Sequence, residues 1–197
     1  MDDIWAVILA AGESKRMGTP KMLLPFNGST MIESITAVVT RSNVNKTLIV
    51  VGAEKESLVH LPGILPVVCC YNDNYKEGML SSVKCGFRNI PTGTRAVLVF
   101  QGDQPLITTH VINSVIEAYL SSEKGIVIPV CNNRRGHPVL IDIKYRDEIE
   151  KLSRDKGLRS LAYMFPEDVL EVLTNEPGIL RDFDTYDQYL KEINQMC

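Results

Sequence analysis

The sequence predicts an α/β protein built on a mostly parallel sheet with helices covering both faces. Continuous apolar runs of strand length recur at Ile4–Leu9, Leu48–Val51, Ala96–Phe100 and Ile126–Val130, as strands buried on both faces require. Stretches with helical patterning separate them, over 31–42, 79–90 and 109–122. The connections are short, so strand and helix alternate as they do in a sheet covered on both sides. The 197 residues suit one domain, 1–197, with a sizeable core. The one place for an inserted subregion is near 130–165.

Taken in order, Ile4–Leu9 is the central strand, running into Ala10-Ala11-Gly12. Thr30 and Glu33 have the spacing of a capping box and open a helix that runs to about Ser42. Leu48–Val51 is a strand ended by Gly52, and Glu54–Leu61 a short helix stopped by Pro62. Leu65–Cys70 is the third strand, its cysteine pair reading as core filler. The polar turn Tyr71–Gly78 leads into a helix from Met79 to Ile90. Ala96–Phe100 follows, with Gln101-Gly102-Asp103-Gln104-Pro105 at its carboxyl end and Thr108 or Thr109 capping the next helix. Ile126–Val130 and Pro138–Ile141 are strands, Arg146–Leu152 and Leu158–Phe165 helices, Val169–Leu173 a strand and Tyr186–Ile193 the final helix.

Composition limits the function. With 45% hydrophobic and 23% charged residues, the chain is globular rather than disordered. A net charge of −3 argues against nucleic acid as a partner, so an anionic ligand must be met by local cations. No apolar run approaches the roughly 20 residues of a membrane helix, and Met1-Asp2-Asp3 does not resemble the basic start of a secretion signal. Five cysteines without a CxxC pair point to unpaired thiols in a reducing cytoplasm, not to a disulfide frame or a zinc site.

The stretch with the clearest chemistry is Ala6–Pro25. A strand enters a loop of small residues holding Gly12 and Gly18, and two cations follow, Arg16 and Lys21. Glycine lets backbone amides approach an anion, and Arg and Lys neutralise its charge. The plain alternative is a strand exit with a solvated basic patch. Gly12 and Gly18 are six apart and Lys21 comes three later, so this is not a P-loop, and GxGxxG is absent. Ligands of parallel sheets sit at the carboxyl ends of strands, which puts the 10–21 and 101–105 loops on one rim. A carboxylate at Asp103 either holds Mg²⁺ against a phosphate or bonds its own turn. Asp182 and Asp184 offer a second carboxylate, or serve the start of the last helix. Lys76, Ser81 and Ser82 stand near a helix start and either meet an anion or ribose or cap the helix. His137 is a substrate contact or a surface residue, and His60 and His110 read as structural or solvent-facing.

Together these motifs resemble a family. LAAGESKRMGTPKMLLPFNG (Leu9–Gly28), GDQP (Gly102–Pro105), RGHPVLI (Arg135–Ile141), DKGLRSL (Asp155–Leu161) and DFDTYDQYL (Asp182–Leu190) are similar, in order and over nearly the whole chain, to the small nucleotidyltransferases of molybdenum-cofactor biosynthesis. Leu-Ala-Ala-Gly and the Gln-Pro after Asp103 resemble the cytidylyltransferase branch more than the guanylyltransferase branch. The resemblance implies a three-layer α/β/α fold of the nucleotide-diphospho-sugar transferase (Rossmann-like) type, with a mostly parallel mixed sheet. It implies Mg²⁺-dependent transfer of CMP from CTP, or of GMP from GTP, onto the phosphate of a molybdopterin-type acceptor, with release of pyrophosphate. A molybdenum hydroxylase would receive the product. By the same resemblance, Arg16, Lys21 and Asp103 are the catalytic residues, and Asp103 holds the metal with Asp184, or with Asp182 two residues before it. Leu9, Ala10, Ala11, Gly12 and Glu13, with Asn74, Gly78, Ser81 and Ser82, bind the nucleotide, and His137 meets the acceptor. The usual Pro-Glu-Asp after the last motif is replaced by Tyr186-Asp187-Gln188. A sugar-phosphate transferase and a non-catalytic nucleotide or pterin carrier are the competing readings.

Overall fold

A computed structural model describes residues 3–196. Along the chain run β1 (Ile4–Ala10), a hairpin of β2 (Pro25–Phe26) and β3 (Ser29–Thr30), α1 (Met31–Thr40) and β4 (Lys46–Val51). Two single-turn helices follow, α2 (Lys55–Leu58) and α3 (Leu61–Ile64), then β5 (Val67–Tyr71), α4 (Met79–Asn89), β6 (Ala96–Gln101) and α5 (Thr109–Leu120). The second half holds β7 (Ile126–Cys131), β8 (Arg134–Arg135), β9 (Val139–Asp142), α6 (Arg146–Lys151), α7 (Ser160–Met164), β10 (Val169–Leu173) and α8 (Tyr186–Met196).

The main sheet has the order β10-β7-β9-β6-β1-β4-β5, with β8 paired to β7. β9 runs antiparallel to both β6 and β7; the other pairings along that order are parallel. β1 shows why this is a three-layer protein. Ile4, Ala6, Ile8 and Ala10 face one core with Ile32, Ile35 and Val39 of α1 and Ile112, Val115 and Ile116 of α5. Trp5, Val7 and Leu9 face the other, with Leu80, Val83 and Phe87 of α4, Ile149 of α6 and Leu161 of α7. Side chains of a strand alternate faces, so an unbroken apolar run can fill two cores at once.

Local signals hold where they are strongest. Thr30 caps α1 with both arms of the capping box formed: its hydroxyl accepts from the Glu33 amide at 3.3 Å, and Glu33 accepts from the Thr30 amide at 2.9 Å. Of Thr108 and Thr109, Thr108 is the cap of α5. Other expectations are corrected. Pro62 does not stop a helix after Leu61; it opens α3, where its missing N–H costs nothing. Cys69 and Cys70 are only half-buried, one packed against each of the two cores. Helix start 185 is capped by Thr185 and Gln188, which exchange hydrogen bonds through side chain and backbone (3.3 and 3.0 Å), leaving Asp182 and Asp184 free of that role.

Candidate active site

Three neighbouring strands deliver the site. Ala10 of β1 is in register with Val51 of β4, and Leu9 with Gln101 of β6, so the loops after them leave one edge together. They stay packed beyond the sheet: Ala53 donates to the Ala11 carbonyl at 3.2 Å and Gly102 to the Leu9 carbonyl at 3.0 Å. A Cβ on Gly52 would come within 2.6 Å of the Ala11 oxygen, and one on Gly102 within 2.9 Å of the Leu9 oxygen. Both positions therefore need glycine for close approach. Gly12 meets no protein atom within 4 Å of where a Cβ would sit, so its open side faces the cleft rather than a packed neighbour.

The loop itself is held by Ser14, whose hydroxyl accepts from the Lys21 amide at 3.0 Å and whose φ is +51°. Lys21 is consequently turned inward, only 8% exposed. Its Nζ donates to Asp103 at 2.7 Å and lies 3.5 Å from Asp184. Arg16 makes a two-pronged pair with Asp184, both contacts at 2.8 Å. The 177–184 segment is locked above the same edge, the Phe183 amide donating to the Asp103 carbonyl at 3.2 Å and the His137 amide to the Ile179 carbonyl at 3.1 Å.

These residues border a cleft of about 510 Å³ whose lining also includes Leu9, Ala11, Gly12, Glu13, Gly78 and Ser82. Ala10, Asn74 and Ser81 do not line it. Ala10 is a buried end of β1, and the Ser81 hydroxyl donates to the Asn74 and Gly78 carbonyls, both at 2.8 Å. Lys76 also stays outside, its ammonium lying over the Tyr75 ring at 5.8 Å. Asp182 and Asp184 both face the cleft. Sequence reasoning placed the segments that hold Ser14, Tyr75, Met79 and Gln101 at the site but singled out none of the four, since only position, at a strand end or in a turn, marks them.

A second cleft of about 550 Å³ adjoins the first through Met79 and Gln101. It has an apolar floor, including Val99, Ile126 and Ile141, and a rim with Arg154, Lys156 and Arg159. His137 belongs here, with the Gln101 amide nitrogen 3.3 Å from Nδ1. Burial pushes its imidazole down to about 4, against the pull of Asp182, so the ring is neutral near pH 7.

The oxygens of Asp103 and Asp184 converge on one positive point, the Lys21 ammonium. Two hard carboxylate donors gathered this way, open to a cleft, fit a small divalent cation that keeps waters and phosphate oxygens as its other ligands. Backbone amides, two cations and two carboxylates around one cavity can hold a polyphosphate and its metal.

Residues 6–169 match the family described as the MobA-like NTP transferase domain. The chain belongs to this family. Its members are nucleotidyltransferases, and the chain is an enzyme of that class. It is 28% identical to nicotine blue oxidoreductase of Paenarthrobacter nicotinovorans, over 94% of both chains. It is 24% identical to molybdenum cofactor cytidylyltransferase of Escherichia coli K12, over 96% of this chain and 95% of that one. A nucleotidyl transferase from Methanothermobacter thermautotroptrophicus has the same fold, with a TM-score of 0.83 and 24% identity over 99% and 98% of the two chains.

Proposed function

We propose that this nucleotidyltransferase moves CMP from CTP onto the phosphate of a molybdopterin-type acceptor and releases pyrophosphate. The observation that carries the reading is the meeting of Lys21 with Asp103 and Asp184 at the mouth of the 10–21 loop. A triphosphate brings about four negative charges to an anionic acceptor, so catalysis here is neutralisation and alignment rather than proton abstraction. Asp103 and Asp184 would hold the divalent cation, Mg²⁺, which when bound would supply positive charge at the phosphate oxygens. Arg16 and Lys21 would neutralise the departing pyrophosphate, and the backbone of the loop around Gly12, which lines the same cleft, would take the phosphates. The acceptor phosphate is already ionised, which agrees with a neutral His137 that positions rather than titrates.

The second cleft supports the acceptor assignment. Its apolar floor suits a flat uncharged ring system, and Arg154, Lys156 and Arg159 on its rim suit anionic substituents. A molybdenum hydroxylase would then take the product. Free thiols at Cys69, Cys70, Cys85 and Cys131 favour a reducing, cytoplasmic setting.

The test is a transfer assay with each of the four NTPs and Mg²⁺, offering molybdopterin or sugar phosphates as acceptor and reading pyrophosphate and product mass. CTP with molybdopterin is expected to lead. GTP outrunning CTP would move the chain to the guanylyl branch. Product only with sugar phosphates would replace the acceptor, and no pyrophosphate with any pair would leave a carrier. An arm following oxidation of a reduced nicotinamide would reveal activity of the kind the Paenarthrobacter relative's name describes.

A further inference from the structure

Asn72 follows β5 and is only 4% exposed. Its side-chain Oδ1 accepts from the Asn74 amide at 3.0 Å, while Nδ2 donates to Ser81 Oγ at 2.9 Å and to Ser82 Oγ at 3.0 Å. The orientation is forced, because a backbone N–H can only donate, so the carboxamide oxygen must face it and the amino group must face the serines. Each serine hydroxyl has one proton to place. That of Ser81 goes to the carbonyls of Asn74 and Gly78. Ser82 accepts from Asn72, and its own proton meets no acceptor among the described residues. Ser82 borders the nucleotide cleft, as do the uncharged Tyr75, Gly78 and Met79 and the cations Arg16 and Lys21.

We propose that Asn72 is a positioning residue whose carboxamide, by donating to Ser82, leaves the Ser82 proton free to be given to the nucleoside part of the bound nucleotide. The inference rests on the nucleotide reading of this cleft. The phosphates belong with Arg16 and Lys21, which leaves the uncharged lining residues, Ser82 among them, to the base or ribose. A hydroxyl proton without a protein acceptor favours a carbonyl, a ring nitrogen or a ribose oxygen there, since an amino group would leave that proton unpaired.

Asn72→Asp keeps the size and removes the donor. Both serine hydroxyls then turn to donate to the carboxylate, and the Ser82 proton is withdrawn from the cleft. The expected result is a rise of about tenfold in the KM for the NTP with kcat little changed, the size of one hydrogen bond lost. Ser82→Ala should show the same rise, and Asn72→Asp combined with Ser82→Ala should be no worse than Ser82→Ala alone. Repulsion of the nucleotide by the new carboxylate, or a distorted segment, would instead add to the Ser82→Ala loss; that additivity overturns the proposal. So does an unchanged KM in Asn72→Asp. Should Asn72→Asp fail to fold, Ser82→Ala decides alone, and an unaltered KM there is sufficient to reject the idea. A wild-type protein that neither binds nor turns over any NTP overturns the nucleotide reading and this inference together. A turning-over wild type with indifferent variants sinks only the inference.

Discussion

Lys21 keeps its ammonium 2.7 Å from Asp103 with a side chain just 11% exposed, and Arg16 holds Asp184 from the solvent side. Such a network is poised to exchange partners when a polyphosphate and its metal arrive. Lys21→Ala or Asp103→Ala is expected to lower kcat by about 10²–10³, the usual cost of a lost charged contact to a transition state. Steady-state transfer with saturating NTP and Mg²⁺ measures it, with circular dichroism confirming that the fold survives. His137 gives a pH prediction. Its value of about 4 lies below the ordinary 6.5, so folding favours the neutral ring. That contribution is whole above about pH 6.5 and is lost as pH falls toward 4. The melting temperature should decline across this window, and His137→Asn should flatten the decline. Of these residues, Arg16, Lys21, Asp103 and Asp184 were legible as types at strand ends and in motifs. That Lys21 would sit between two carboxylates was not, because residues 82 and 163 positions away carry no mark of their distance in space.

Elements were legible in proportion to how local their causes are. The α1 cap depends on residues three apart, and both its bonds form as expected. Thr30→Ala should cost about 1 kcal/mol of stability by denaturant unfolding. The β2–β3 hairpin, by contrast, was passed over although Asn27 and Gly28 both take positive φ, +49° and +79°, as the turn of a two-residue hairpin needs. Its strands are only two residues each, too short to show alternation. The antiparallel direction of β9 was equally hidden, since a buried strand of four residues looks the same either way round. Gly52 joins element to site. A Cβ there would meet the Ala11 oxygen at 2.6 Å and the Tyr75 Cβ at 2.8 Å. Gly52→Ala should therefore push apart the two walls of the cleft, raising the KM for NTP and lowering the melting temperature.

At the scale of the molecule, the end of the chain folds back onto its beginning. Phe183 and Tyr189 pack with Met17, Phe26 and Met31, and the Tyr189 hydroxyl donates to the Pro25 carbonyl at 2.6 Å. This docking carries Asp184 to Arg16, a contact spanning 168 positions. The metal prediction belongs here, because the two carboxylates proposed to hold it come from distant parts of the sequence. Chelation should abolish transfer and added Mg²⁺ restore it, with circular dichroism unchanged throughout. Tyr189→Ala should cost about 3–5 kcal/mol through the cavity it leaves, and should weaken metal dependence by loosening Asp184; titrating Mg²⁺ against activity would read this.

The sequence by itself determined the layered α/β class, the order of most elements and the residue types along one rim, because apolar periodicity, caps and strand-end glycines act over a few neighbouring positions. Only the tertiary structure decided that Lys21 bridges Asp103 and Asp184, that a second cleft opens beside the first, and that Asn72 donates to Ser82. Those relations arise from chain closure and packing between segments far apart in sequence, and the direction of a hydrogen bond exists only once donor and acceptor have been brought together.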